Sequence, residues 1–315
     1  MKNKIMLSVG ENLTITKGYE QLRMMKQAEG LKPDTIRYYD DCFKYFKEYA
    51  GEQTLCEDLN QDMIINYIFF LRSEKKVNDV SINTYIRGIR TIINYFIERE
   101  YTYPFKIKGV KAVKSVKETY SDDELNRLLE KPNIKKVSFP DYRNWVIVCY
   151  LLGTGNRANT ICNLKIENLD FSGHQIILKV VKNAKQYIIP MSPTLEKVLK
   201  EYLSYRKGAA DDYLFCNQYG EQLTREGLKT CIQRYNKSRG VEKSSLHLFR
   251  HTFAKKWILN KGDIFRLQSI LGHSSIDIVK EYVNMFGVDL QKDFSVFNPL
   301  DTMDCMKPPG TLIKM

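Results

Sequence analysis

The first hundred residues alternate apolar and polar positions with the period of amphipathic helices. In "KPDTIRYYDDCFKYFKEYAG" the apolar side chains recur three or four residues apart, at Ile36, Tyr39, Phe43 and Phe46. The stretches "NQDMIINYIFFLRSEKK" and "VSINTYIRGIRTIINYFIEREY" repeat this spacing, and a weaker segment near residues 15–29 adds a fourth helix. The pattern predicts a compact four-helix domain over residues 15–103, with its aromatic residues in the core.

A second, mixed domain is predicted after residue 118. Ser121 and Glu124 in "SDDE" have the spacing of a capping box, which explains these acidic residues without a metal site. The stretch "HQIILKVVKNAKQYIIPM" has two β-branched runs, which predict a β-hairpin, and the segments around it are helical. The expected fold is mainly α, with a small β-hairpin or sheet in an α+β domain over residues 119–290 and tails at 1–14 and 291–315.

Residues 104–118 are expected to link the two domains. Lysines recur there two or three residues apart, at Lys106, Lys108, Lys111 and Lys114, with no acid before Glu118. A flexible basic connector suits a chain that wraps a DNA duplex and contacts its phosphates. A solvated linker without such contacts would have the same composition, so both interpretations stay open.

Composition narrows the class of partner and the compartment. Lys and Arg number 49 against 37 Asp and Glu, and the net charge of +12 favours nucleic acid or an anionic membrane surface. The seven cysteines form no CxxC pair, which indicates reduced thiols rather than a disulfide framework or a zinc ribbon. No secretory leader or long apolar run is present, so we expect a cytoplasmic protein.

The stretch "LLGTGNRANTICNL" has two interpretations. Gly153, Gly155 and Ala158 fit the fingerprint of a dinucleotide-binding turn, whereas Arg157 after the glycines would face a phosphate of another kind. A dinucleotide turn needs a strand before it and a long helix after it. Here the preceding run is helical in pattern and the following helix is short, so the arginine interpretation is favoured.

Two histidine-containing stretches follow. "LHLFRHTFA" places His247 and Arg250 three residues apart on one helical face, while His251 follows the arginine and is interpreted as structural. "LGHSS" contains His273, and nine residues later "KEYVNMF" contains Tyr282.

In type, order and spacing, "GTGNR", the hairpin lysine, "HLFRH", "LGHSS" and the final tyrosine resemble the tyrosine recombinases of the phage-integrase family. The resemblance extends over residues 15–290 and includes a SAM-like core-binding domain. It implies a site-specific recombinase that acts on double-stranded DNA in integration, excision, resolution or inversion, with a mobile element as the expected setting. The reaction of this family requires no cofactor and no metal. It also implies a homotetrameric synapse, and we expect a monomer or dimer in solution. The tail at 291–315 has two interpretations, a segment that docks on a neighbouring protomer and a frayed chain end.

The chemistry explains why such residues are needed. Tyrosine has a pKa of about 10 and is a weak nucleophile at neutral pH, so Tyr282 needs help to attack a phosphodiester. Two guanidiniums, those of Arg157 and Arg250, would hold the phosphate by paired charged hydrogen bonds that strengthen as charge builds.

Family roles are implied for the other groups. His247 would assist deprotonation of the tyrosine, and His273 would hydrogen-bond the scissile phosphate. Lys182 would protonate the leaving 5′-oxygen, with Lys185 as the alternative because hairpin loops shift register easily. The product of the attack would be a 3′-phosphotyrosine link, which a 5′-hydroxyl reverses.

The sequence departs from the family pattern at Phe249, at Asn156, and at Val283 and Asn284 after the tyrosine, without losing a catalytic group. Two other functions stay open. One is a DNA-binding regulator without catalysis, and the other is a relaxase similar to type IB topoisomerases.

Overall fold

The computed structural model describes residues 13–112, 118–179 and 186–272, together with residues 276, 279, 280, 282 and 283. These fall into two compact units, one before residue 113 and one from residue 118 onwards. Among the described residues, no helix is both long and apolar enough to cross a membrane.

Within residues 13–112, the first unit contains four helices and one short 3₁₀ turn. The helices are α1 (Ile15–Ala28), α2 (Pro33–Ala50), α3 (Gln61–Ser73) and α4 (Asp79–Glu98), and the 3₁₀ turn spans Cys56–Asp58. Thr14, Asn60 and Asn78 each accept a backbone N–H bond at a helix start, as N-caps do. The local sequence therefore sets where three of the four helices begin.

Aromatic side chains fill the core of this unit, as the spacing predicts. Phe46, Tyr67 and Phe96 are almost completely buried, and the rings of Tyr19 and Phe43 stack with their centroids 4.1 Å apart. Their role in the core is confirmed.

Residues 105–110 belong to the first unit rather than to a flexible connector. Asn83 on α4 accepts from the backbone N–H of Val110 and donates to its carbonyl, both at 2.9 Å, and Arg90 donates to the carbonyl of Ile107 at 3.0 Å. Ile107 is buried while its neighbours Lys106 and Lys108 are exposed. The alternating burial, with Ile107 against the core and a lysine on each side of it, explains the spacing of these two lysines.

The second unit is helical around a small sheet. Its helices are α5 (Asp122–Leu129), α6 (Phe139–Thr154), α7 (Ala158–Cys162), α8 (Pro193–Arg206), α9 (Arg225–Ser238), α10 (Leu246–Leu259) and α11 (Ile264–Leu271). Its strands are β1 (Leu169–Asp170), β2 (Gln175–Lys179) and β3 (Gln186–Pro190), and a 3₁₀ turn spans Ile166–Asn168. The strands are antiparallel in the order β1-β2-β3, with Ile176 opposite both Leu169 and Ile189. The pattern predicts β2 and β3, whereas β1 has only two residues and is too short for a period to show.

Helix α6 is the centre of the second unit. It is apolar around most of its circumference, and every residue from Tyr142 to Val148 is buried. It packs against α5, α8, α9 and α10, which is why a helix without an amphipathic stripe is stable here. The predicted capping box of α5 is confirmed: Ser121 accepts from the N–H of Glu124 at 3.2 Å, and Glu124 accepts from that of Ser121 at 2.7 Å.

Candidate active site

The turn between α6 and α7 presents Arg157 at the surface. Gly155 ends α6 in the left-handed region at φ 63°, and a Cβ there would lie 2.7 Å from Leu271 and from Phe253, so only glycine fits. Asn156 is buried and donates to the hydroxyl of Tyr150 at 2.8 Å. The unusual asparagine therefore fixes the turn instead of loosening it. Because a helix and not a strand precedes this turn, it is not a dinucleotide cradle.

Arg157 itself is extended and exposed at the start of α7. Among the residues that the structure describes, its guanidinium has no hydrogen-bond partner. Its charge is therefore available to an external anion.

Arg250 lies on α10 and is 4% exposed. Its guanidinium donates to the carbonyl of Gly155 at 2.9 Å and to that of Leu271 at 2.8 Å. Burial, and then the charge of Arg157, lowers its pKa to about 10, which leaves it charged at neutral pH. Arg250 thus joins the turn that carries Arg157 to the end of α11.

His247 lies in the first turn of α10, next to these charges. Partial burial of the imidazole, followed by the charges of Arg250 and Arg157, lowers its pKa from the usual value. The neutral ring, which can accept a proton, is favoured at neutral pH. Arg225, exposed at the first position of α9, adds a further positive charge and was missed by sequence reasoning.

Phe249, where the family has leucine, is fully buried between these polar residues. Its ring centroid lies 4.6 Å from that of Tyr120, whose N–H donates to Thr252 at 2.9 Å. The substitution is therefore a packing change that fixes α10 to the start of the second unit.

The hydroxyl of Tyr282 is in contact with His251, not with His247. It lies 2.7 Å from Nδ1 of His251, and Tyr282 is only 1% exposed. His251, which the sequence indicates to be structural, therefore contacts the predicted nucleophile. One signal was available: His247 and His251 are four residues apart, and such residues lie on the same face of a helix.

The structure brings four predicted site residues into one region of the second unit: Arg157, His247, Arg250 and Tyr282. Lys182 and its alternative Lys185, His273, Lys114 and the C-terminal tail lie outside the described residues. Their roles stay predictions. Lys106, Lys108 and Lys111 lie on the first unit and are exposed.

The model of the phage integrase family matches residues 118–286, and that of the phage integrase SAM-like domain matches residues 19–108. The chain belongs to the phage integrase family. The predictions of a tyrosine recombinase and of its two-part fold, a SAM-like domain followed by a catalytic domain, are confirmed.

Similar proteins align with most of this chain. Tyrosine recombinase XerD from Listeria innocua is 27% identical over 285 residues, which are 86% of this chain and 94% of XerD. A structure of XerH recombinase bound to its difH substrate has a TM-score of 0.70 at 23% identity and covers 89% of this chain and 84% of XerH. A structure of the Tn1549 transposon integrase with a circular intermediate DNA has a TM-score of 0.69 at 18% identity, covering 86% of this chain and 94% of that one. At these identities the structures support the fold.

Proposed function

We propose that this tyrosine recombinase cuts and rejoins DNA at specific sites through a 3′-phosphotyrosine intermediate on Tyr282. The observation that carries the proposal is the position of Arg250. Its two backbone hydrogen bonds join the turn that carries Arg157 to the end of α11, eleven residues before Tyr282. Tyr282 contacts the same helix, α10, through His251, which supports a shared site for the two arginines and the tyrosine.

The proposed reaction uses these groups in order. Arg157 and Arg250 bind the nonbridging oxygens of the scissile phosphate. The Tyr282 oxygen attacks phosphorus, the bond from phosphorus to the 5′-oxygen breaks, and the phenol proton passes toward neutral His247. The 5′-oxygen then needs a proton, which we assign to Lys182, while His273 hydrogen-bonds the phosphate.

Rejoining is the reverse reaction on a different strand. A 5′-hydroxyl attacks the phosphotyrosine, the phosphorus–tyrosine bond breaks and the phenol regains its proton. The phosphodiester energy is conserved in the covalent link, so the exchange needs no nucleotide hydrolysis.

The partner in this proposal is double-stranded DNA, bound by four protomers in the synaptic complex. The net charge of +12 and the exposed Arg157, Arg225 and lysines of the first unit support an anionic partner. XerH and the Tn1549 integrase were both solved with DNA, and the latter belongs to a transposon. We extend this to the present chain as the recombinase of a mobile element, with the tail 291–315 docking between protomers.

A plasmid assay tests the proposal. Two copies of the DNA that flanks the gene for this chain are placed on one plasmid and incubated with the protein and a chelator. We expect deletion or inversion between the copies, and none with Tyr282→Phe. Relaxation without preference for any sequence would support a topoisomerase-like enzyme, and sequence-specific binding without exchange would support a regulator. Either result would contradict the proposal.

A further inference from the structure

The hydroxyl proposed as the nucleophile already has a specific partner. His251 lies on the second turn of α10, and its Nδ1 is 2.7 Å from the Tyr282 hydroxyl, a normal hydrogen-bond distance. The two rings are 5.6 Å apart between centroids and tilted by 52°, so they meet at the polar atoms instead of stacking.

The same hydroxyl is closed off from solvent. Tyr282 is 1% exposed and packs in a small apolar cluster with Ala254, Leu267, Leu271 and Val279. This cluster is separate from the main core of the second unit. The proposed nucleophile is thus buried in a small apolar cluster beside α10.

A phosphate cannot be attacked in this position. Reacting atoms must approach to about 3–3.5 Å, and the phosphate of a duplex cannot enter a closed apolar cluster. Of the two arginines proposed to bind that phosphate, Arg157 is exposed at the surface, and the guanidinium of Arg250, 4% exposed, donates to the carbonyl of Gly155 in the same turn. The Tyr282 hydroxyl must therefore move outward before attack, and its bond to His251 must break.

We infer that His251 is a positioning residue that holds the Tyr282 hydroxyl back from the DNA-facing surface, so that cleavage requires release of this hydrogen bond. The inference rests on the proposed function for its meaning. The two histidines on one face of α10 then have different roles. His247, among the arginines, acts during the chemical step, and His251 acts before it.

Chemical labelling of tyrosines tests directly, without DNA, whether the Tyr282 side chain is shielded from solvent. The protein is treated with tetranitromethane, and nitration of each tyrosine is followed by mass spectrometry. Tyr219, 78% exposed, and Tyr150, completely buried, are internal standards for fast and slow reaction. In the unmodified protein we expect Tyr282 to react as slowly as Tyr150.

Three variants separate the hydrogen bond from packing. His251→Phe keeps a flat ring without the bond, and we expect Tyr282 to react about fivefold faster, as loss of one ordinary buried hydrogen bond gives. His251→Asn places a polar atom near the position of Nδ1 and should keep the reaction slow. His247→Phe, on the same face one turn earlier, is the matched control and should leave the labelling of Tyr282 unchanged.

Covalent-adduct formation on a nicked duplex from the gene's flanking DNA gives the second measurement. His251→Phe should form the adduct at least as fast as the unmodified protein, and His251→Asn should not be faster. If His251→Phe unfolds at the assay temperature, His251→Leu takes its place.

Three results would overturn the inference: fast labelling of Tyr282 in the unmodified protein, no increase in labelling with His251→Phe, or a tenfold loss of adduct in that variant. No adduct from any protein, including the unmodified one, would count against the proposed function instead. The labelling comparison would then still decide whether His251 stores the tyrosine.

Discussion

The two arginines proposed to share one phosphate lie in opposite surroundings. Arg157 is exposed on a turn and has no hydrogen-bond partner among the described residues, whereas Arg250 is buried and donates to the carbonyls of Gly155 and Leu271. The same charged group thus serves two purposes in this protein. Arg250 contributes to the fold and to the site, and Arg157 contributes to the site alone.

The largest effect is expected for Arg250→Gln. It removes a phosphate ligand and leaves two buried carbonyls without their donor, so cleavage should fall by about 100- to 1000-fold. The free energy of unfolding should fall by about 2–3 kcal/mol, measured by urea denaturation. Arg234→Gln, an exposed arginine on α9, is the matched control for loss of charge.

Arg157→Gln should separate the two purposes. We expect a similar loss of cleavage, about 100- to 1000-fold, because the ligand is lost. Its free energy of unfolding should stay within about 0.5 kcal/mol of the unmodified protein, since the exposed Arg157 side chain makes no hydrogen bond among the described residues. If both substitutions lowered the free energy of unfolding equally, Arg157 would stabilise the fold as Arg250 does, and the two arginines would not differ.

The pH dependence of cleavage also reports on the two arginines, because their charges lower the pKa of His247. Partial burial, and then these two charges, depress the pKa of His247, so the proton-accepting neutral form persists below the usual histidine pKa of about 6.5. The rate should stay constant as pH falls through 6.5 and decline only at lower pH. In Arg157→Gln the decline should begin at higher pH, measured in single-turnover reactions. An unchanged profile would show that His247 is not the titrating group.

The smallest effect is expected for the lysines of the first unit. Changing Lys106 and Lys108 together to Gln should weaken DNA binding several-fold and lower the slope of log affinity against log salt by about 2. Fluorescence anisotropy at several salt concentrations measures both. Lys17 and Lys32 on the same unit provide a matched double substitution, and an equal effect there would mean that charge alone matters.

Much of the fold follows from local patterns in the sequence. The helices of the first unit, the α5 capping box, and β2 and β3 each depend on spacing within a few residues, which is why they are predictable. Strand β1 exists only through its pairing with β2 and carries no period of its own. Residues 105–110 have a linker's composition, yet Asn83 and Arg90, about 20 residues earlier in the chain, hold them against α4.

The candidate site divides in the same way. Arg157, His247 and Arg250 are identified by motif, and the structure places them together. The contact between His251 and Tyr282 joins residues 31 apart in sequence and depends on how the chain after α11 returns to α10. Burial of the hydroxyl is a tertiary property, and no local pattern reports it.

The most direct measurement of the central claim is covalent trapping on nicked duplexes from the flanking DNA, followed by digestion and mass spectrometry. We expect a nucleotide joined through its 3′-phosphate to the peptide that contains Tyr282, formed in the presence of chelator and absent from Tyr282→Phe. A nucleotide attached to any other residue, or through a 5′-phosphate, would contradict it.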